Sequence, residues 1–204
     1  MRDLLRMTSG ERLSLSAYEA DFYATVESID EPILKTERMQ TFREPGSPSW
    51  EAFDAGRWDE ALLIAAQPNP DLAQFFALLA ERESGLHRLR IVELPLTPYL
   101  IWELNFLRFR AEAGELIRVL TADKVWEYEQ EHGVVPELMV AGDRAVYDVR
   151  YDADGTPIGA EKFTEPQVVE GCRSQVRVML ARAEPFDSFF DREVDGLTPP
   201  DAHL

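Results

Sequence analysis

Four side chains of one stretch have the types and spacing for polar chemistry in an apolar setting. Glu103 and Arg110 lie inside "LTPYLIWELNFLRFRAEAGE" (Leu96–Glu115), Tyr99 stands beside them, and Arg90 sits in the preceding "HRLRIVEL". At about 100° per residue, Leu100, Leu104, Leu107 and Ala111 make one stripe of a helix. Trp102, Phe106, Phe109 and Ala113 make a second, nearly opposite. Asn105, Arg108 and Glu112 fall in one gap between the stripes and can face water. Glu103, Arg110 and Tyr99 fall in the other. A carboxylate at such a seam is desolvated and needs a partner. Two chemistries are open to the set. A buried ion pair would fix how two layers dock. Alternatively Arg90, Tyr99, Glu103 and Arg110 would line a ligand pocket at the end of a strand, where open α/β sheets hold small molecules.

The remaining reactive residue types offer less. His87, His132 and His203 are far apart and lack metal-site spacing. His132 precedes Gly133 at a predicted helix C-terminus, where a cation suits the dipole. No phosphate-binding glycine loop follows a strand, and no G-x-S-x-G elbow occurs. Asp152 and Asp154 beside Gly155 read as turn chemistry. Trp50, Phe53 and Trp58 read as a packing cluster rather than a ligand cage. Cys172, flanked by Val168, Val169 and Val176, reads as a buried filler. No catalytic residue, metal ligand or cofactor-binding residue is assigned, and a non-enzymatic protein is the expectation.

Composition sets the setting. The 204 residues carry 21 Lys and Arg against 38 Asp and Glu, a net charge of −17. Such a surface repels bare nucleic acid and anionic membrane and attracts a basic protein, although solubility alone also accounts for it. One cysteine excludes an internal disulfide and a cysteine-built zinc site, and fits a reducing compartment. No apolar run approaches 18 residues, and Met1–Arg6 lacks an apolar signal core. The expectation is a cytoplasmic protein.

The elements that must position these residues follow from pattern. Residues 1–85 read as helices with frequent breakers. Ser16 is placed to cap the first long one, and "ILKTERMQTFRE" follows as a candidate extended segment. After the turn cluster "EPGSPSW" come two short helices split by Gly56. A third follows, with Asn69 as cap, Pro70 in its first turn and Gly85 as stop. From residue 86 the character changes. "HRLRIVEL" is a strand, Thr97, Pro98 and Gly114 bound the long helix, and "ELIRVL" is a second strand, parallel to the first through a helical crossover. A helix over "ADKVWEYEQEH", capped by Thr121, leads to a three-strand meander and a final helix from about Glu165 to Ala183. The expected fold is α+β: a helical region (1–85) packed on a mixed sheet of order β-α-β-α-β-β-β-α (86–190), then a disordered tail (191–204). The aromatic stripe of the long helix should bury against the helical region.

The blocks "ERMQTFREPGSPSWEAFDAGRWDEAL", "RLRIVELPLTPYLIWEL", "AGELIRVL" and "MVAGDRAVYDVRYDADGTPIGAEKF" resemble an actinobacterial family known as domain of unknown function 6879. Several separate blocks match in order, over nearly the whole chain except its ends. Members are often encoded near helix-turn-helix regulators, which implies a regulatory setting without supplying an activity or catalytic residues. The strand-helix-strand start and the meander also resemble a phospholipase D-like half-domain. Enzymes of that fold use a His-x-Lys motif with a following Asp, and the corresponding meander here has no histidine, so the resemblance implies a degenerate version. The expectation is an acidic regulatory or interaction protein. Its partner would be a basic protein such as a helix-turn-helix regulator, with no direct nucleic-acid or membrane binding. The rival is an enzyme or small-ligand sensor built on Tyr99, Glu103 and Arg90.

Overall fold

The computed structural model describes residues 1–82 and 84–197. The core is a mixed sheet of eight strands among the described residues. Its parallel centre is β2 (Ile33–Glu37), β3 (Leu86–Val92) and β4 (Leu116–Thr121). The β3–β4 crossover is α6 (Pro98–Glu112). The β2–β3 crossover carries α3 (Pro48–Asp54), α4 (Trp58–Ala65) and α5 (Pro70–Glu81). On the other side of β2 lies the antiparallel meander β5 (Leu138–Ala141), β6 (Ala145–Tyr151) and β7 (Pro157–Phe163). The edges are β1 (Glu11–Ser14) on β7 and the short β8 (Glu184–Pro185) on β4. The fold is α+β, with the N-terminal helices packed on the sheet.

Helices cover both faces. Leu34, Leu89, Ile91 and Val140 pack beneath α8 (Pro166–Arg182), which contributes Cys172 and Val176, and α1 (Arg2–Arg6), which contributes Leu5. On the opposite face α2 (Leu15–Val26) and α5 place Phe22, Val26, Phe76 and Leu79 near the meander. Beside them α6 and α9 (Phe186–Glu193) cover Ile117 and Val119 with Leu100, Leu104, Leu107 and Phe189.

The expected two-sided burial of α6 is present, with a gradient along it. Trp102 is fully buried, stacks on Phe53 at 5.5 Å and donates from its indole nitrogen to Ser49 Oγ at 3.1 Å. Trp50 and the partly buried Trp58 belong to the same apolar cluster. Phe106 and Phe109 are only half-buried.

Several expectations change. The stretch 1–85 supplies two strands, β1 and β2, and β2 sits mid-sheet. The segment read as extended does hold β2, but its central place depends on partners far away in the sequence. Ser14, not Ser16, caps α2, accepting from Ala17 N. Gly85 does not stop α5, which ends at Glu81; its carbonyl accepts from Ile33 N at 2.9 Å and opens β3. Thr121 makes no side-chain cap; a 3-10 turn over Ala122–Lys124 precedes α7 (Trp126–His132). Helix α9 runs past Phe190 to Glu193, anchored by the buried Val194, so the first part of the expected tail is ordered. Residues 198–204 of that tail, His203 among them, lie outside the described residues.

Candidate functional site

Side chains two apart on a strand share a sheet face, and those four apart share a helix face. Lys35 and Glu37 on β2 therefore point the same way as Arg88 and Arg90 on β3, toward α6. From α6, Tyr99 and Glu103 descend together onto them. The result is a polar cavity of about 310 Å³. Its lining includes Lys35, Glu37, Arg88, Tyr99, Glu103 and Arg110, closed by the rings of Phe42, Tyr151 and Phe106.

Two ion networks meet there. Arg90 Nε donates to Glu103 Oε2 at 2.7 Å, and its Nη1 donates to the carbonyls of Glu37 and Ile91, each at 3.2 Å. Tyr99 Oη stands 2.6 Å from Glu44 Oε1 and 3.3 Å from Glu103 Oε1. In the second network Arg88 Nε donates to Glu115 Oε1 at 2.6 Å and its Nη1 to Glu37 Oε2. Lys35 Nζ lies 2.6 Å from Glu37 Oε1, and Arg110 Nε donates to Glu115 Oε2. Gly114, at φ +116°, turns the chain out of α6 and delivers Glu115 to this group. Among the described residues, Arg88 Nη2, the two terminal nitrogens of Arg110 and the buried Arg90 Nη2 have no hydrogen-bond partner.

The carboxyl groups divide in the same way. Glu37 and Glu115 are held below the usual carboxylate range: burial works against them, but Arg88 overrides it, helped by Lys35 at Glu37 and by Arg110 at Glu115. Glu103 is pushed up, to about 7, by burial and by the nearby Glu37, against the pull of Arg90. Glu44 is also pushed up by burial, with its Tyr99 bond opposing. Arg90 remains firmly protonated because Glu103 and Glu37 offset its burial. Within the Arg90–Glu103 pair, the titratable partner is the acid.

The structure thus places Tyr99, Glu103 and Arg110 around one cavity, with Arg90 directly behind Glu103. Arg110 bonds Glu115 rather than Glu103. Lys35, Glu37, Glu44, Arg88, Glu115 and Tyr151 were not foreseen. The one usable signal was the alternation in "LHRLRIV", which puts Arg88 on the face of Arg90. Cys172, on α8, faces the core on the other side of the sheet, its thiol raised to about 11 by burial. Among the described residues no group of three or more His, Cys, Asp and Glu side chains is arranged to hold a metal, and no helix is long and apolar enough to cross a membrane.

The family described as domain of unknown function (DUF6879) matches residues 20–191, which takes in every residue of the cavity. The chain belongs to this DUF6879 family. Among curated proteins no match is found. The cavity is therefore built within the family's own domain rather than on an appended segment.

Proposed function

We propose that this DUF6879 protein is a non-enzymatic regulatory domain that reads a small polar ligand in the cavity between β2, β3 and α6. One observation carries the reading. Charged side chains surround a space of about 310 Å³, and some of their donors point at no protein acceptor among the described residues. A group of ion pairs serving only to pin two layers has no need of such a space. At about 30 Å³ per water, the cavity holds roughly ten waters, the size of a small metabolite. Binding rather than catalysis is favoured because the carboxyls and guanidiniums are engaged with one another and the single thiol is remote and inert. The test is a thermal-shift panel of small metabolites followed by amide chemical-shift mapping. Shifts centred on β2, β3 and the first half of α6 are expected. Ligands that map only to α7 and α8 would overturn the proposal.

A second reading rests on the −17 charge. A basic protein, such as a helix-turn-helix regulator, would dock on this surface, and the cavity would set its affinity. Affinity capture from the native cell, with elution in a salt gradient, tests it; a captured partner insensitive to salt counts against electrostatic docking. The same proposal places the protein in the cytoplasm. It includes descent from a phospholipase D-like half-domain, supported by a parallel β2-β3-β4 trio followed by an antiparallel meander. That meander carries no histidine to serve as a nucleophile.

A further inference from the structure

We infer that the cavity takes a small zwitterion of amino-acid size, its carboxylate held by Arg88, Arg110 and Lys35 and its ammonium by Glu44 and Glu103. The inference rests on the ligand-binding reading above and adds the charge pattern of the ligand. The two networks are unequal in opposite senses. On one wall three cations, Lys35, Arg88 and Arg110, face two carboxylates, Glu37 and Glu115. On the other wall two carboxyl groups, Glu44 and Glu103, meet at the Tyr99 hydroxyl, and of the two only Glu103 is paired with a cation, Arg90. The whole group is balanced while each wall is not. A molecule that completes both must carry one charge of each sign.

Geometry agrees. Arg88 and Arg90 mark the two walls and stand two residues apart on β3, about 6.6 Å along the strand. Phe42, Phe106 and Tyr151 line the same space and can take the hydrocarbon between the charged ends. Free donors of Arg88 and Arg110 lie on the wall with excess cation, as an incoming carboxylate requires, whereas Arg90 Nη2, also without a partner among the described residues, is buried behind Glu103. The acid–base behaviour follows the same division: the carboxyls of the cationic wall are depressed, and those of the acidic wall are raised.

The test compares four five-carbon probes on the intact protein by calorimetry and amide shift mapping: norvaline, 5-aminovalerate, valerate and pentylamine. The first two carry both charges and the others one each. At least one zwitterion should bind about tenfold or more tighter than either single-charge probe, with shifts at β2, β3 and α6. Two half-buried positions separate the walls without emptying the core. Arg110→Gln should weaken the zwitterions and valerate but not pentylamine. Glu44→Gln, which still offers Tyr99 an acceptor, should weaken the zwitterions and pentylamine but not valerate. Valerate or pentylamine binding as tightly as the zwitterions would overturn the inference and leave the ligand-binding reading standing. So would a neutral fragment mapping to Tyr99 and Tyr151 when none of the four probes binds. If no small molecule moves these amides, both fall.

Discussion

Arg88 and Arg90 leave the same face of β3 two residues apart, yet Arg88 is clasped by two carboxylates and Arg90 by one. Arg90 makes up the difference with two backbone carbonyls, and its buried Nη2 has no partner among the described residues. Loss of one acid should therefore be felt more at Arg90 than at Arg88.

Glu103→Ala should cost about 3–5 kcal/mol, because it strands a buried guanidinium. Glu103→Gln should cost clearly less, since an amide oxygen can still accept from Arg90 Nε. Urea unfolding of the two variants checks this, and equal losses would show that the charge of Glu103, not its acceptor, holds Arg90.

The pH dependence of the same group has a defined sign. Folding raises its pKa from 4.5 to about 7, so the folded state holds the proton more tightly than the unfolded state. Its contribution is fully present below 4.5 and is lost as pH rises through about 7. The melting temperature of the wild type relative to Glu103→Gln should therefore fall between pH 4.5 and pH 7. A constant difference across that window would contradict it.

Binding of a zwitterion should release protons near neutral pH, because its ammonium takes over the task of compensating Glu103 and Glu44. Affinity should strengthen as pH rises from about 6 to about 8, over which an acid of pKa near 7 loses its proton. Calorimetry in buffers of different ionisation enthalpy measures the release directly. Proton uptake would place the ligand on the other wall.

Trp102→Ala should cost about 3–5 kcal/mol, and Phe106→Ala less, for the first ring is fully enclosed and the second half-exposed. Ser49→Ala should cost about 1–3 kcal/mol by leaving the buried indole N–H without its acceptor. Chemical denaturation of the three variants gives the order.

No nucleic-acid binding is expected from the isolated chain. Arg150 is paired with Asp148 and Glu161, Arg118 donates to the Ala183 carbonyl, and Arg108 lies over Phe109 and Phe190. These arginines are spent on intramolecular contacts and make no basic track across an acidic surface. A salt-sensitive gel shift with DNA or RNA at physiological ionic strength would contradict this.

Helix α6 was legible because its information is local: Thr97 and Pro98 start it, Gly114 ends it, and its periodicity isolates Glu103 in a narrow gap. That isolation requires a donor, and Tyr99 one turn earlier and Arg90 on the adjoining strand are the near ones. The wheel misleads for Arg110. It shares an angular sector with Glu103 but stands seven residues on, about 10 Å along the axis, so it reaches past Gly114 to Glu115 instead. Lys35 and Glu37 were illegible for a different reason. Alternating charges in "ILKTE" suit a strand with one wet face, and only the pairing of Lys35 with Arg88 across the sheet reveals that this face is covered. The β2 placement is long-range information of the same kind, as is the edge strand β1.

That placement also governs how the chain can be made. Ile33 pairs with Leu86 on one side and Ala141 on the other. During synthesis β2 emerges with both edges bare, gains its first neighbour only when β3 has left the ribosome, and cannot close the sheet until β5 follows. Pairings so distant in sequence slow folding, and an unpaired apolar strand invites association with other nascent chains. The cavity shares this timetable: its floor includes Lys35 and Glu37, made early, while Glu115 and Tyr151 arrive only as the later strands dock. A chain arrested before the meander would carry most of the charged residues of the site and none of the enclosure that makes them a receptor.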